Sequence, residues 1–281
     1  MRINPHGGQD GKRMMKGRRG KIRFIRMLLL AVIAACLFQI VRAHRLSVEY
    51  DEQQEELREL KEVYVVETTL AKKIFEWHTW KETEEPAKPV IMEKYAALYE
   101  ENSDLVGWLM IDGMAIDYPV MQNEDDEYYL HHDYYGDDSR YGCLYVRGRA
   151  DINTPDTNFI IYGHNMKDGA MFGDLDLYRE ESFYREHSVI SFDTLYEERS
   201  YEIIAVFLSQ VYGPEEDAFK YYQFYHAETQ EEFDYFYNNI KEASLYDTGA
   251  TAEFGDTFLT LSTCAYHVQD GRLAVVAKRL Y

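Results

Sequence analysis

The chain has 281 residues, 46% hydrophobic and 15% aromatic, enough for one or two packed domains, and a formal net charge of −20. That total hides a split: residues 1–45 carry 11 Lys and Arg against one acidic residue, and the remainder carries 19 basic against 49 acidic, a head of +10 on a body of −30. Such an acidic body excludes a nucleic-acid binder held by phosphate contacts, and three cysteines in all exclude a disulfide-framed scaffold.

Nine basic residues lie between Arg2 and Arg26, and residues 1–23 read as a basic, disordered cytoplasmic tail. The apolar run Met27–Val41, broken only by Gln39, falls short of the roughly 20 residues that span a bilayer. Phe24 and Ile25 lengthen it if Arg26 snorkels to the interface, so residues 24–42 read as a membrane anchor. The basic flank sets the N-terminus in the cytoplasm and the acidic body outside. Two alternatives stay open: a cleaved signal peptide ending near Val41-Arg42-Ala43, and a lipoprotein signal at Cys36. Apolar Leu37-Phe38 directly after Cys36 weighs against the second.

Between Ser47 and Lys81, Leu57, Leu60 and Tyr64, then Leu70, Ile74 and Trp77, recur at helical spacing among charged residues. Residues 43–90 therefore read as a helical juxtamembrane stalk, ended by Glu84-Glu85-Pro86-Ala87-Lys88-Pro89. Residues 91–281 form the main domain, opening with a short helix from Ile91 to Glu101. Strand candidates follow at Val106–Ile111, Ala115–Val120, Gly142–Val146, Asn158–Tyr162, Val189–Phe192, Tyr201–Val211, Thr257–Cys264 and Arg272–Lys278, with Asp112-Gly113 as a hairpin turn between the first two. Helices are expected over 169–178 and 229–243, the second with Phe233, Phe236, Tyr237 and Ile240 as its apolar stripe. The pattern predicts an all-β-dominated fold, an eight-stranded barrel with N-terminal helices and a long helix before the cysteine strand.

Two of the three cysteines, Cys143 and Cys264, lie outside the apolar run. Cys264 ends an apolar strand, and Arg272 opens the next. If these strands pair as an antiparallel hairpin, the thiol and a permanent cation share one sheet edge. A sulfur nucleophile beside a fixed donor fork suits covalent acyl chemistry with an oxyanion to stabilise. The nucleophile also needs a proton partner. His164 follows the strand Asn158–Tyr162 across Gly163 and is the first candidate; His267, three residues past Cys264, is its rival. His131 and His132 beside Asp133 lack further ligands at zinc spacing and read as a polar turn, so no metal site is expected. No loop has the spacing of an EF-hand.

At this point a resemblance is plain. Thr260-Leu261-Ser262-Thr263-Cys264, its spacing to Arg272 and the block Tyr162-Gly163-His164 resemble the signature of sortases, the cysteine transpeptidases of Gram-positive cell surfaces. Val106-Gly107-Trp108-Leu109-Met110-Ile111, Tyr118-Pro119-Val120-Met121-Gln122 and Tyr128-Tyr129-Leu130 look like the start of that domain, so the likeness runs from about residue 95 to the C-terminus. The serine at 262, the long helix before the cysteine strand and Ser244-Leu245-Tyr246-Asp247-Thr248-Gly249 resemble class B in particular, and the basic and apolar head fits the family's membrane anchor. The resemblance implies His164, Cys264 and Arg272 as the catalytic set and Tyr162, Ser262 and Thr263 in the substrate groove. It implies no cofactor. It implies as partners surface proteins bearing a C-terminal sorting signal, and an amine from a peptidoglycan precursor, a cross-bridge or a pilin lysine. The chain departs from the family at Asp126, where Asn is frequent, at Ala265, where class B can carry an acid, and at Cys143, read as a buried thiol. A non-catalytic surface-binding module and a plain hydrolytic cysteine protease are the competing readings.

Overall fold

The computed structural model describes residues 10–75, 90–152 and 156–280, and in it the alternating segments form eight strands. They are β1 (Leu105–Met110), β2 (Asp117–Gln122), β3 (Leu144–Val146), β4 (Asn158–Tyr162), β5 (Val189–Thr194), β6 (Ser200–Gln210), β7 (Phe258–Cys264) and β8 (Gly271–Leu280). They close into a barrel in the order β1-β2-β3-β4-β7-β8-β6-β5, with β5 returning to β1. Closure leaves no free sheet edge. The β2/β3 and β4/β7 pairs are parallel and the remaining neighbours antiparallel. The parallel β4/β7 pair matters most, because it brings the carboxyl ends of both strands to the same rim.

The helices are α1 (Asp10–Phe75), α2 (Glu93–Glu101), α3 (Tyr128–His131), α4 (Glu181–Glu186) and α5 (Gln230–Ala243). α5 starts where the sequence says it should. The Thr229 side chain accepts from the Glu232 N–H while the Glu232 carboxylate accepts from the Thr229 N–H, a complete capping box. Its apolar stripe, Phe233, Phe236 and Ile240, packs against Phe207, Phe258, Ala274 and Val276, which holds the outer face of β6, β7 and β8 in place. A second cluster joins Leu57, Tyr95 and Leu98 to Leu105, Trp108 and Met121 on β1 and β2. Lys61 adds to it, its Nζ lying 3.0 Å from Asp117 and 4.3 Å above the Trp108 ring.

The chain divides into two compact units, residues 1–55 and 56–281. Within the first, α1 already runs from Asp10, so residues 10–23, expected to be disordered, are helical. Lys and Arg are good helix formers, so the basic segment extends the apolar helix that follows it. Arg26–Glu62 is long and apolar enough to cross a membrane, and none of its apolar stretch is buried. Residues 76–81 of the expected stalk helix and the proline break after it lie outside the described residues. The expected helix over 169–178 is instead a 3₁₀ turn, Gly173–Arg179, followed by α4, and the polar turn at His131 and His132 is the end of α3. Both differences involve elements of seven residues or fewer, where tertiary contacts outweigh periodicity.

Candidate active site

β7 and β8 pair in the register expected from their sequences: Cys264 stands opposite Arg272, with Thr263 opposite Leu273 and Ser262 opposite Ala274. The turn between them is tight. The Ala265 N–H donates to the Gly271 carbonyl at 2.9 Å, and a Cβ on Gly271 would lie 2.1 Å from the Ala265 oxygen. Only glycine fits there, and Arg272 follows it directly. The Arg272 guanidinium donates to the carbonyls of Gly271 and Asp270 at 3.0 and 3.4 Å. It makes no ion pair among the described residues, so its charge is not spent on a neighbouring carboxylate.

β4 supplies the imidazole. Tyr162 stands opposite Ser262 on the adjacent parallel strand, so His164 and Cys264 both lie two residues beyond that pair at one rim. The turn at Gly163 has no room for a side chain, because a Cβ would sit 2.5 Å from Leu144 and 2.8 Å from Phe172. His164 is half-buried, and its Nε2 lies 2.8 Å from the Leu130 carbonyl just after Tyr129 in α3. A carbonyl only accepts, so the proton on that edge of the ring sits on Nε2, and Nδ1 is the nitrogen left to exchange one. The rival His267 is exposed on the β7–β8 loop, its ring against Gly271.

A cavity of about 460 Å³ opens beside this rim. Its wall includes Arg272, Ser262, Tyr162, Tyr145, Tyr221 and Arg147, and also Asp126, Glu127 and Leu130. Tyr162 stacks on Tyr145 at 5.6 Å, and Arg147 lies 5.4 Å above the Tyr162 ring. The Tyr221 hydroxyl lies 2.8 Å from Ser262 Oγ. Burial pushes the phenols of Tyr145 and Tyr221 up to about 12, opposed at both by the nearby Arg272 cation and reinforced by Cys264. Cys264 and Arg272 are thus both within electrostatic reach of the same two wall residues.

Three of the six residues named from the sequence, Tyr162, Ser262 and Arg272, line this cavity; Cys264 and His164 stand at the ends of their strands beside it and are not among its lining residues. Thr263 is buried on the opposite face of β7, and its hydroxyl donates to the Gly163 carbonyl at 2.8 Å. Asp126 is on the wall and accepts from the Gly148 N–H at 2.8 Å. Cys143 is buried 12 residues after the end of α3, and burial pushes its thiol far above the usual range. The sequence reading missed Asn165, whose Nδ2 lies 2.8 Å from the Cys264 carbonyl, and also Tyr145, Arg147 and Tyr221. For Asn165 the only signal was adjacency to His164; for the others there was none.

Comparison with known proteins shows the family. A family model for the sortase domain matches residues 109–280. Sortase B of Listeria monocytogenes is 33% identical over 194 residues, covering 67% of this chain and 74% of that protein. Sortase B of Staphylococcus aureus is 28% identical over 190 residues, covering 67% and 75%. The crystal structure of sortase B from Bacillus anthracis is similar with a TM-score of 0.63 at 31% identity, over 82% of this chain and 97% of that one. The chain therefore belongs to the sortase family of cysteine transpeptidases and is most like its class B members.

Proposed function

We propose that the protein is a single-pass membrane enzyme that cuts a sorting signal after threonine and passes the acyl group to a cell-surface amine. The observation that carries this reading is the opposition of Cys264 and Arg272 across β7 and β8, with His164 leaving the neighbouring parallel strand at the same rim.

The chemistry follows from those three groups. A peptide ending Thr-Gly or Thr-Asn lies in the cavity, and the Cys264 thiolate attacks the threonine carbonyl carbon. The negative charge that develops on its oxygen is met by the Arg272 guanidinium, which donates without losing its own proton. As the intermediate collapses, the C–N bond breaks and the His164 imidazolium gives a proton to the departing amine. A thioester remains on Cys264. An incoming amine, from a peptidoglycan precursor, a cross-bridge or a pilin lysine, attacks it. His164 takes the proton from that amine, the C–S bond breaks, and the thiolate is restored. The hydrocarbon-length helix, with its basic flank on the cytoplasmic side, keeps the domain near exported substrates and lipid-linked acceptors, which raises their effective concentration.

The test is cleavage of a quenched sorting peptide by the full chain in detergent, with and without an added amine. Cys264→Ala abolishes turnover. Arg272→Ala costs about 10²- to 10³-fold in kcat, the scale of one lost oxyanion donor, and His164→Ala about 10²- to 10⁴-fold, the scale of a lost acid–base group. His267→Ala is silent. A fully active Cys264→Ala variant rejects the proposal, and a dead His267→Ala variant reassigns the proton carrier. Release of the free acid alone, even with amine in excess, makes the enzyme a hydrolase.

A further inference from the structure

Parallel strands exchange backbone hydrogen bonds at two-residue intervals. At the rim, the Gly163 N–H donates to the Ser262 carbonyl at 3.3 Å. The next rung would join the Asn165 N–H to the Cys264 carbonyl. The backbone does not make it, because the chain has turned away at His164. Asn165 bridges instead to Met171, which sits at φ 53, and the His164 carbonyl accepts from the Phe172 N–H at 2.9 Å. The Asn165 side chain takes over the missing rung: Nδ2 lies 2.8 Å from the Cys264 carbonyl. The same nitrogen lies 3.4 Å from Asp176 Oδ2, on the 3₁₀ turn. A carbonyl and a carboxylate both accept, so the amide must present its NH₂ to the pair, and its orientation is fixed.

We infer that Asn165 is a positioning residue that sets the separation between the His164 imidazole and the Cys264 thiol. It lets the backbone leave the ladder, which aims the ring at the rim, yet keeps that departing loop tied to the backbone of the nucleophile. Thr263, bonded to the Gly163 carbonyl, secures the strands one residue earlier; beyond it, the Asn165 amide is the tie between the His164 loop and Cys264 among the described residues. The inference rests on the thiol–imidazole reading given above.

The test uses the full chain in detergent as parent, Asn165→Ala, Asn165→Asp and His164→Ala. Three things are measured: peptide-cleavage kinetics, thermal unfolding, and the pH dependence of iodoacetamide reaction at Cys264, read from the mass of its peptide. Asn165→Ala lowers kcat about tenfold to a hundredfold, the scale of a displacement near 1 Å between reacting groups. KM stays within about twofold, since no substrate contact is removed. Its alkylation profile moves toward that of His164→Ala. Asn165→Asp, nearly the same shape, sets carboxylate oxygens against two acceptors and loses at least as much. Where Asn165→Ala melts below the assay temperature, Asn165→Asp decides by the same measurements. Parent-like kcat and a parent-like alkylation profile in the folded variants overturn the inference. A parent whose alkylation profile matches His164→Ala overturns instead the thiol–imidazole reading beneath it.

Discussion

Cys143 and Cys264 are the same side chain in opposite surroundings. Cys143 is sealed in the cluster that joins α2 to β1 and β2, where desolvation and the nearby Asp133 charge disfavour its thiolate. Cys264 ends β7 half-buried, opposite a guanidinium. Reactivity follows the thiolate and its access. Iodoacetamide at pH 8 is expected to modify Cys264 in the folded protein and to leave Cys143 untouched until denaturant is added, with peptide masses as the check. Arg272→Lys is expected to fall between the parent and Arg272→Ala in kcat. It keeps the charge but loses the planar fork and the two carbonyl contacts that hold it.

At the scale of elements, the helix and the hairpin divide stability from chemistry. Thr229→Ala removes half of the α5 capping box and is expected to cost about 1 kcal/mol of stability in denaturant melts, with cleavage kinetics unchanged. Gly271→Ala forces a methyl into the Ala265 carbonyl and displaces the start of β8. It is expected to lower both melting temperature and kcat, because Arg272 is the next residue. The same elements mark what was legible in the sequence. β4, β7, β8 and α5 each carry a strong period and a clear boundary, so their positions and the pairing of Cys264 with Arg272 were readable. α3, α4 and the 3₁₀ turn are too short for a period to emerge. Asn165 escaped because its partner is 99 positions away and its role is to replace a backbone bond, which no local pattern announces. The motif alone assigns Thr263 to the groove, whereas strand alternation turns its hydroxyl to the Gly163 carbonyl.

The whole molecule is rich in buried phenols. Tyr145 and Tyr221 are held up to about 12, and Tyr95, Tyr134 and Tyr178 are raised further, each chiefly by burial. An unfolded chain releases these protons near pH 10. Below that pH both states keep them and the stabilisation is fully present. Above it the unfolded state binds fewer protons, so stability falls as pH rises, by about 1.4 kcal/mol per pH unit for each such phenol. Urea midpoints are expected to hold steady between pH 7 and pH 9 as far as these groups govern them, and to drop steeply beyond pH 10 as tyrosinate absorbance appears.

The chain order of the strands has a temporal meaning. The sulfur and its guanidinium come from β7 and β8, whereas the imidazole follows β4, which is separated from them along the chain by β5, β6 and α5. A polypeptide made from its N-terminus first presents the ring long before any partner exists for it. A half-synthesised form therefore holds the ring without the sulfur or the guanidinium, and the three side chains share a rim only once β7 and β8 have docked.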